Sequence, residues 1–193
     1  MYSGRLLTAL TLPLFSLACS DDDSPPPSGN AGTGGSGNTA LALTSTAFAE
    51  GEMIPEKHGC PGVPGGQNVS PQLAWTGGPS DAQSYAIVMR DIDFAGFLHW
   101  VIFDIPKGKS LPEGVEAVFE PANVAGAKQS RFASGAPGYF GPCSPTTVNT
   151  YQFTVHALPD ATLPGMTDQS TNQEAATAIE AASLASAALP GES

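Results

Sequence analysis

The stretch SYAIVMRDIDFAGFLHWVIFDIP, residues 84–106, decides how the chain is read. Its two ends, SYAIVM (84–89) and HWVIFDI (99–105), are rich in aromatic and β-branched residues, which suit a pleated, half-buried surface. Between them, Asp91 and Asp93 stand two residues apart among Ile92, Phe94 and Phe97, and His99 and Trp100 follow. A third run, YQFTVHAL (151–158), alternates: Tyr151, Phe153 and Val155 share one face, and Gln152, Thr154 and His156 share the other. All three read as strands bounded by Gly and Pro clusters. Residues 40–49 and 114–119 are weaker strand candidates.

Outward from these runs, one helix stands out. Thr171 and Glu174 have capping-box spacing, and the Ala-rich run up to Leu189 stops at Pro190 and Gly191. This predicts a helix over 171–189 packed closely on a sheet, with Ile179 and Leu189 as its larger anchors. Twenty-two glycines and eighteen prolines supply long loops, such as residues 59–66 and 134–145. Loops of that length in a compact domain are usually functional. The predicted architecture is all-β: a β-sandwich carrying one terminal helix, over residues 40–193.

The N-terminal part is set aside from that fold. Residues 1–18 carry one arginine, Arg5, before an apolar run too short to span a bilayer, which is a secretory signal pattern. The ending FSLAC resembles a bacterial lipoprotein cleavage box, with Cys19 as the lipidated residue; the alternative is a plain signal cut nearby. Residues 19–39, with the run SDDDSPPPSGNAGTGGSGN, contain almost nothing that could bury surface against ordering entropy, so they read as a tether. Together these imply an exported protein attached to a bacterial envelope, periplasmic or on the outer membrane, with the membrane as partner through Cys19.

The 193-residue chain has a formal net charge of −11, and removing the signal with Arg5 leaves six basic against eighteen acidic residues. Nucleic acid is therefore excluded as a general partner, and an anion must be captured by local donors. Beyond Cys19 only Cys60 and Cys143 remain. In an oxidising compartment two loop cysteines suit a disulfide, with two free thiols as the alternative; C-x-x-C spacing is absent.

No G-x-S-x-G elbow, H-E-x-x-H helix, phosphate-cradling loop or dinucleotide fingerprint is present. His58 reads as a surface loop residue and His156, on the polar face of its strand, as solvent-exposed. His99 differs, since it opens an apolar strand close to Asp91 and Asp93. Two carboxylates and an imidazole suit a metal, acid–base chemistry or a hydrogen-bonding pocket. The sequence offers no further metal ligand and no assignable nucleophile, so neither metal nor cofactor is expected. A structural reading, loop acids beside a buried histidine, stays open on these residues alone.

NVSPQLAW (68–75), YAIVMRDID running into HWVIFDIP (99–106), and GYFGPCSP (138–145) followed by YQFTVHALP resemble the phosphatidylethanolamine-binding protein family, in its bacterial Raf kinase inhibitor-like branch. The motifs occur in the family's order from about Phe48 onward. The resemblance implies a Greek-key β-sandwich with a C-terminal helix and a small anion-accepting pocket at one end. It assigns Asp91 and Asp93 to the D-P-D-A-P motif, and His99 to the H-W pair. Gly141 and Pro142 fall in the G-P-C-P-P loop, and Tyr151 matches the tyrosine of H-R-Y. Imidazole, phenol and loop N–H groups would donate to phosphate or carboxylate oxygens, and Asp91 would orient His99 or meet a ligand amine. It also brings the loops of Cys60 and Cys143 together near the pocket mouth.

The departures are specific. Ile92 and Phe94-Ala95 replace both prolines of D-P-D-A-P, so no cis-proline is expected at the rim. Asn149 replaces the second pocket histidine and can donate without carrying charge. Ser144 replaces a proline. The leading expectation is a non-enzymatic binding module for a small anionic or phosphorylated group, such as a phospholipid headgroup. A protein-interaction or inhibitor module acting on an extracytoplasmic partner is the alternative, and a weak hydrolase using Asp91, Asp93 and His99 is the third.

Overall fold

The computed structural model describes residues 39–132 and 135–193, so the signal segment, Cys19 and all of the tether before Thr39 lie outside the described residues. Seven strands and one helix follow in order: β1 (Thr39–Thr44), β2 (Ala74–Gly78), β3 (Ser84–Asp91), β4 (Phe97–Pro106), β5 (Lys128–Gln129), β6 (Thr150–Leu158), α1 (Asn172–Ala182) and β7 (Ala185–Glu192). β1 and β2 form a small antiparallel sheet, and the other five form a sheet in the order β5-β4-β3-β6-β7. A long connection returns β6 to lie beside β3, which gives a Greek-key sandwich.

The five-stranded sheet is buried on both faces. Tyr85, Ile87 and Met89 of β3 face the core shared with Leu43, Phe48 and Phe153. Ala86 and Val88 face the opposite way, under Ala175, Ala176 and Ile179 of α1. Two buried faces explain why β3 reads as a continuous apolar run rather than an alternating one.

β4 departs from strand period twice. Met89 pairs with Trp100 but Arg90 pairs with Leu98, so His99 is the extra residue of a β-bulge. Leu98 accordingly packs on the helix side while Trp100, two residues on, packs in the inter-sheet core. The second irregularity falls between Ile102 and Ile105, where Asp104 adopts φ 57°. Its buried carboxylate accepts from Lys128 Nζ at 3.0 Å and from Leu163 N at 2.7 Å.

The helix forms with the expected capping box: Thr171 Oγ1 accepts from Glu174 N, and Glu174 Oε2 accepts from Thr171 N at 2.8 Å. It is shorter than the predicted 171–189 and ends at Ala182. The remaining alanines form β7, an edge strand paired along β6, with Ala185, Ala187 and Leu189 turned to the core. Completing the sheet beside β6 outweighs the helix propensity of alanine, and Pro190, which lacks an N–H, is tolerated because the strand is an edge. Leu189 therefore anchors a strand, not the helix.

Residues 114–119 form no strand. Gln129 Nε2 takes the carbonyls of Glu116 and Val118 at 2.7 and 2.8 Å, leaving them unavailable to a ladder. The same side chain accepts from Trp100 Nε1 at 2.7 Å, so this loop is tied to the core tryptophan. Of the weaker candidate 40–49, only its start is strand, within β1. Among the described residues no helix is long and apolar enough to cross a membrane.

Candidate ligand cavity

β3 ends at Asp91, and β6 passes beside it with Tyr151 opposite Asp91 in register. The turn at residues 92–96 carries the chain back into β4, where the bulge re-aims His99. Asp91, Phe94, Phe97, His99, Phe140, Ser144, Asn149 and Tyr151 are thereby drawn around a cavity of about 380 Å³, whose lining Cys143, Pro145 and Thr147 complete.

His99 is 3 % exposed and seated among rings. Phe140 stacks on it at 5.6 Å, while Phe97 and Tyr151 meet it edge-on at 5.0 and 5.1 Å. Its Nδ1 bonds Phe140 O at 2.9 Å and its own carbonyl accepts from Phe140 N at 3.2 Å, a reciprocal pair that fixes the ring. Burial pushes the imidazole below the usual histidine range, against the opposing pull of the Phe140 carbonyl and Asp91. The neutral ring with Nδ1–H on Phe140 leaves Nε2 as an acceptor toward the cavity.

Asp91, also 3 % exposed, is held from three directions. Its Oδ1 accepts from Asp93 N and Phe94 N, both at 3.0 Å, shaping the turn, and its Oδ2 accepts from Asn149 Nδ2 at 2.8 Å. Asn149 is in turn oriented by Thr147 Oγ1, which donates to its Oδ1 at 2.9 Å. The Tyr151 hydroxyl accepts from Cys143 N at 3.2 Å and shares a 2.9 Å bond with Ser144 Oγ. Burial raises the phenol above the usual tyrosine range, so it stays protonated.

Three of the residues singled out by sequence do not line the cavity. Asp93 is exposed and spends its Oδ2 on Thr150 N at 2.7 Å, clamping the turn to β6. Gly141 donates its N–H to Asn68 Oδ1 at 2.8 Å, and a Cβ there would lie 2.0 Å from the His58 carbonyl, so only glycine fits. Pro142 accepts from Cys60 N at 2.8 Å. These two hold the loop against residues 58–60 rather than offering N–H groups to a ligand. The Cys60–Cys143 disulfide pins the same contact, with Cα atoms 5.3 Å apart.

Phe94, Phe97, Phe140 and Ser144 were not assigned from sequence. Phe97 had a signal, being two residues before His99 on a strand; Phe140 came to light only through the fold. His58 and His156 are not on the surface. His58 is fully buried with Nδ1 on Val69 O at 2.6 Å, and His156 is buried under α1 with Nδ1 on Ser183 Oγ at 3.1 Å. Among the described residues no three His, Cys, Asp or Glu side chains converge to hold a metal, and no peptide bond is cis.

Among the described residues no lysine or arginine lines the cavity. Its donors are the Ser144–Tyr151 hydroxyl pair and the second amide proton of Asn149; its acceptors are Asp91 and His99 Nε2. Such a site suits a small group that both accepts and donates.

The family model described as Phosphatidylethanolamine-binding protein matches residues 44–192. A UPF0098 protein of Chlamydia muridarum is 33 % identical over 78 % of this chain and 97 % of its own length. A Mycobacterium tuberculosis protein named "Putative lipoprotein LppC" is 34 % identical over 78 % of this chain and 71 % of its own. Among solved structures, E. coli YbcL, described as a member of the mammalian PEBP family, superposes with a TM-score of 0.72 at 28 % identity, covering 80 % of this chain and 98 % of that one. With its sandwich and its family match over most of the folded part, the chain belongs to the phosphatidylethanolamine-binding protein family.

Proposed function

We propose that the chain is a non-enzymatic binding module whose cavity takes a small phosphorylated headgroup, and that an acyl chain on Cys19 holds it in a bacterial envelope. The seat of His99 carries the first half. A bulge, the two bonds between His99 and Phe140 and three rings fix one imidazole so that Nε2 meets whatever enters. Because that nitrogen and Asp91 both accept, a fully ionised phosphate is a poor occupant, and a zwitterion such as phosphoethanolamine is a good one. Its ammonium would lie toward Asp91, His99 and the ring faces, and its phosphate oxygens toward Ser144 and Asn149. The name of the mycobacterial relative supports the envelope assignment.

Thermal unfolding of the folded chain with phosphoethanolamine, inorganic phosphate, ethanolamine and acetate tests this, because a ligand specific to the native state raises its stability. The zwitterion should give the largest shift. Equal, absent shifts with all four would remove the headgroup role. A second reading, a protein-interaction module, draws on Ile92, Phe94 and Val148, which are 47, 64 and 65 % exposed in the two loops beside the cavity mouth. It takes the lead if the small ligands fail.

A further inference from the structure

A second cleft lies at the other end of β3. Trp75, Tyr85, Lys107 and Lys109, with Thr76 and Ser110, line a volume of about 370 Å³. Trp75 and Tyr85 form its apolar floor, their rings 5.3 Å apart and tilted by 44°. Trp75 ends the NVSPQLAW motif, and nothing in the first cavity uses it.

The charge pattern singles this cleft out. Of the six lysines and arginines among the described residues, Lys57, Arg90 and Lys128 are spent on Glu113, Glu180 and Asp104. Arg131 bonds a neutral acceptor, Gln169 Oε1 at 2.8 Å, and lines neither this cleft nor the first cavity. The remaining two, Lys107 and Lys109, are both exposed and both in the cleft. Lys107 donates to the Ser80 carbonyl at 2.8 Å, which fixes its position and leaves its charge uncompensated. In a chain of net charge −11 this is a local exception, since long-range attraction of anions is absent and capture must be local.

We propose that this cleft binds an acidic saccharide, a sugar ring carrying one carboxylate. The half-buried face of Trp75 offers cover for an apolar ring face, and Thr76, Tyr85 and Ser110 offer hydroxyls to ring hydroxyls. The two lysines meet the carboxylate. One carboxylate per ring spaces the charges along a saccharide, which the net negative field penalises less than the clustered charge of a polyphosphate. The site shares no residue with the cavity at Asp91 and stands independently of it.

Tryptophan emission reads the site directly. The chain has two tryptophans, and Trp100 is fully buried and bonded to Gln129, so a ligand-dependent change reports Trp75. The full chain is titrated with trigalacturonate, with maltotriose and inorganic phosphate as controls. Trigalacturonate should give a saturable change that maltotriose and phosphate do not. Lys109→Ala should weaken it by about tenfold, in the range of one lost charged hydrogen bond. Lys107→Ala with Lys109→Ala should abolish it while the thermal shift with phosphoethanolamine stays as in wild type. No saturable change, an equal one with maltotriose or phosphate, or full affinity in the double variant would overturn the proposal.

Discussion

Asn149 donates its carboxamide N–H to Asp91 Oδ2 at 2.8 Å, and this bond sets the charge of the cavity. At a position where the family motif carries histidine, this chain ties its buried carboxylate with a neutral partner. Asn149→His should therefore strengthen inorganic phosphate binding by about 1.5–3 kcal/mol, the worth of a charged hydrogen bond. The gain should appear mainly below pH ~6.5, where an ordinary imidazole carries charge. Calorimetric titration of phosphate at pH 5.5 and 7.5 checks it; equal affinity of the variant and wild type at both would refute it.

The disulfide joins residues separated by 83 positions and braces one wall of the cavity. Replacing both cysteines, Cys60→Ser with Cys143→Ser, should cost roughly 2–4 kcal/mol through the loop closure lost from the unfolded chain. Chemical denaturation of the two proteins measures it. A difference within experimental error would show that Gly141 and Pro142 alone hold that loop.

Burial lowers all three histidines, His58, His99 and His156, below the usual range. The sign follows directly: a group whose folded value is depressed takes up its proton first in the unfolded chain. Stability should then fall as pH drops below ~6.5, by about 1.4 kcal/mol per pH unit for each proton, until each folded value is passed. Unfolding curves between pH 7.5 and 5 test this. His156→Gln should shallow the slope; an unchanged slope would assign the acid sensitivity to other groups.

The proposed acyl anchor on Cys19 predicts that the chain produced in a lipidating bacterium partitions into detergent, and that Cys19→Ser stays in the aqueous phase. Equal partitioning would leave a secreted domain with no lipid tie.

Much of the sandwich was legible because β3 and β6 carry their strand character in residue type and alternation, and α1 announces itself through Thr171 and Glu174. The failures share a cause in tertiary context. Ala185, Ala187 and Ala188 are helix formers, yet they fill an edge that β6 leaves open. His58 and His156 sit in polar-looking contexts, but a folded loop covers one and α1 the other. In the cavity, Asp91, His99, Asn149 and Tyr151 followed from motif resemblance. The bulge that re-aims His99, and the turn that consumes Asp93, are backbone events that period counting does not register.

The proposed function has His99 and its surroundings receive a headgroup, and calorimetric titration of phosphoethanolamine into wild type, His99→Ala and Tyr151→Phe decides it. Saturable one-to-one binding to wild type is predicted, weakened by about 1–3 kcal/mol in His99→Ala, which loses the Nε2 acceptor and opens the ring seat. Tyr151→Phe should weaken binding less, because its hydroxyl acts through Ser144 and the Cys143 N–H. Undiminished affinity in a folded His99→Ala protein, or no binding to wild type, would rule out a headgroup at His99.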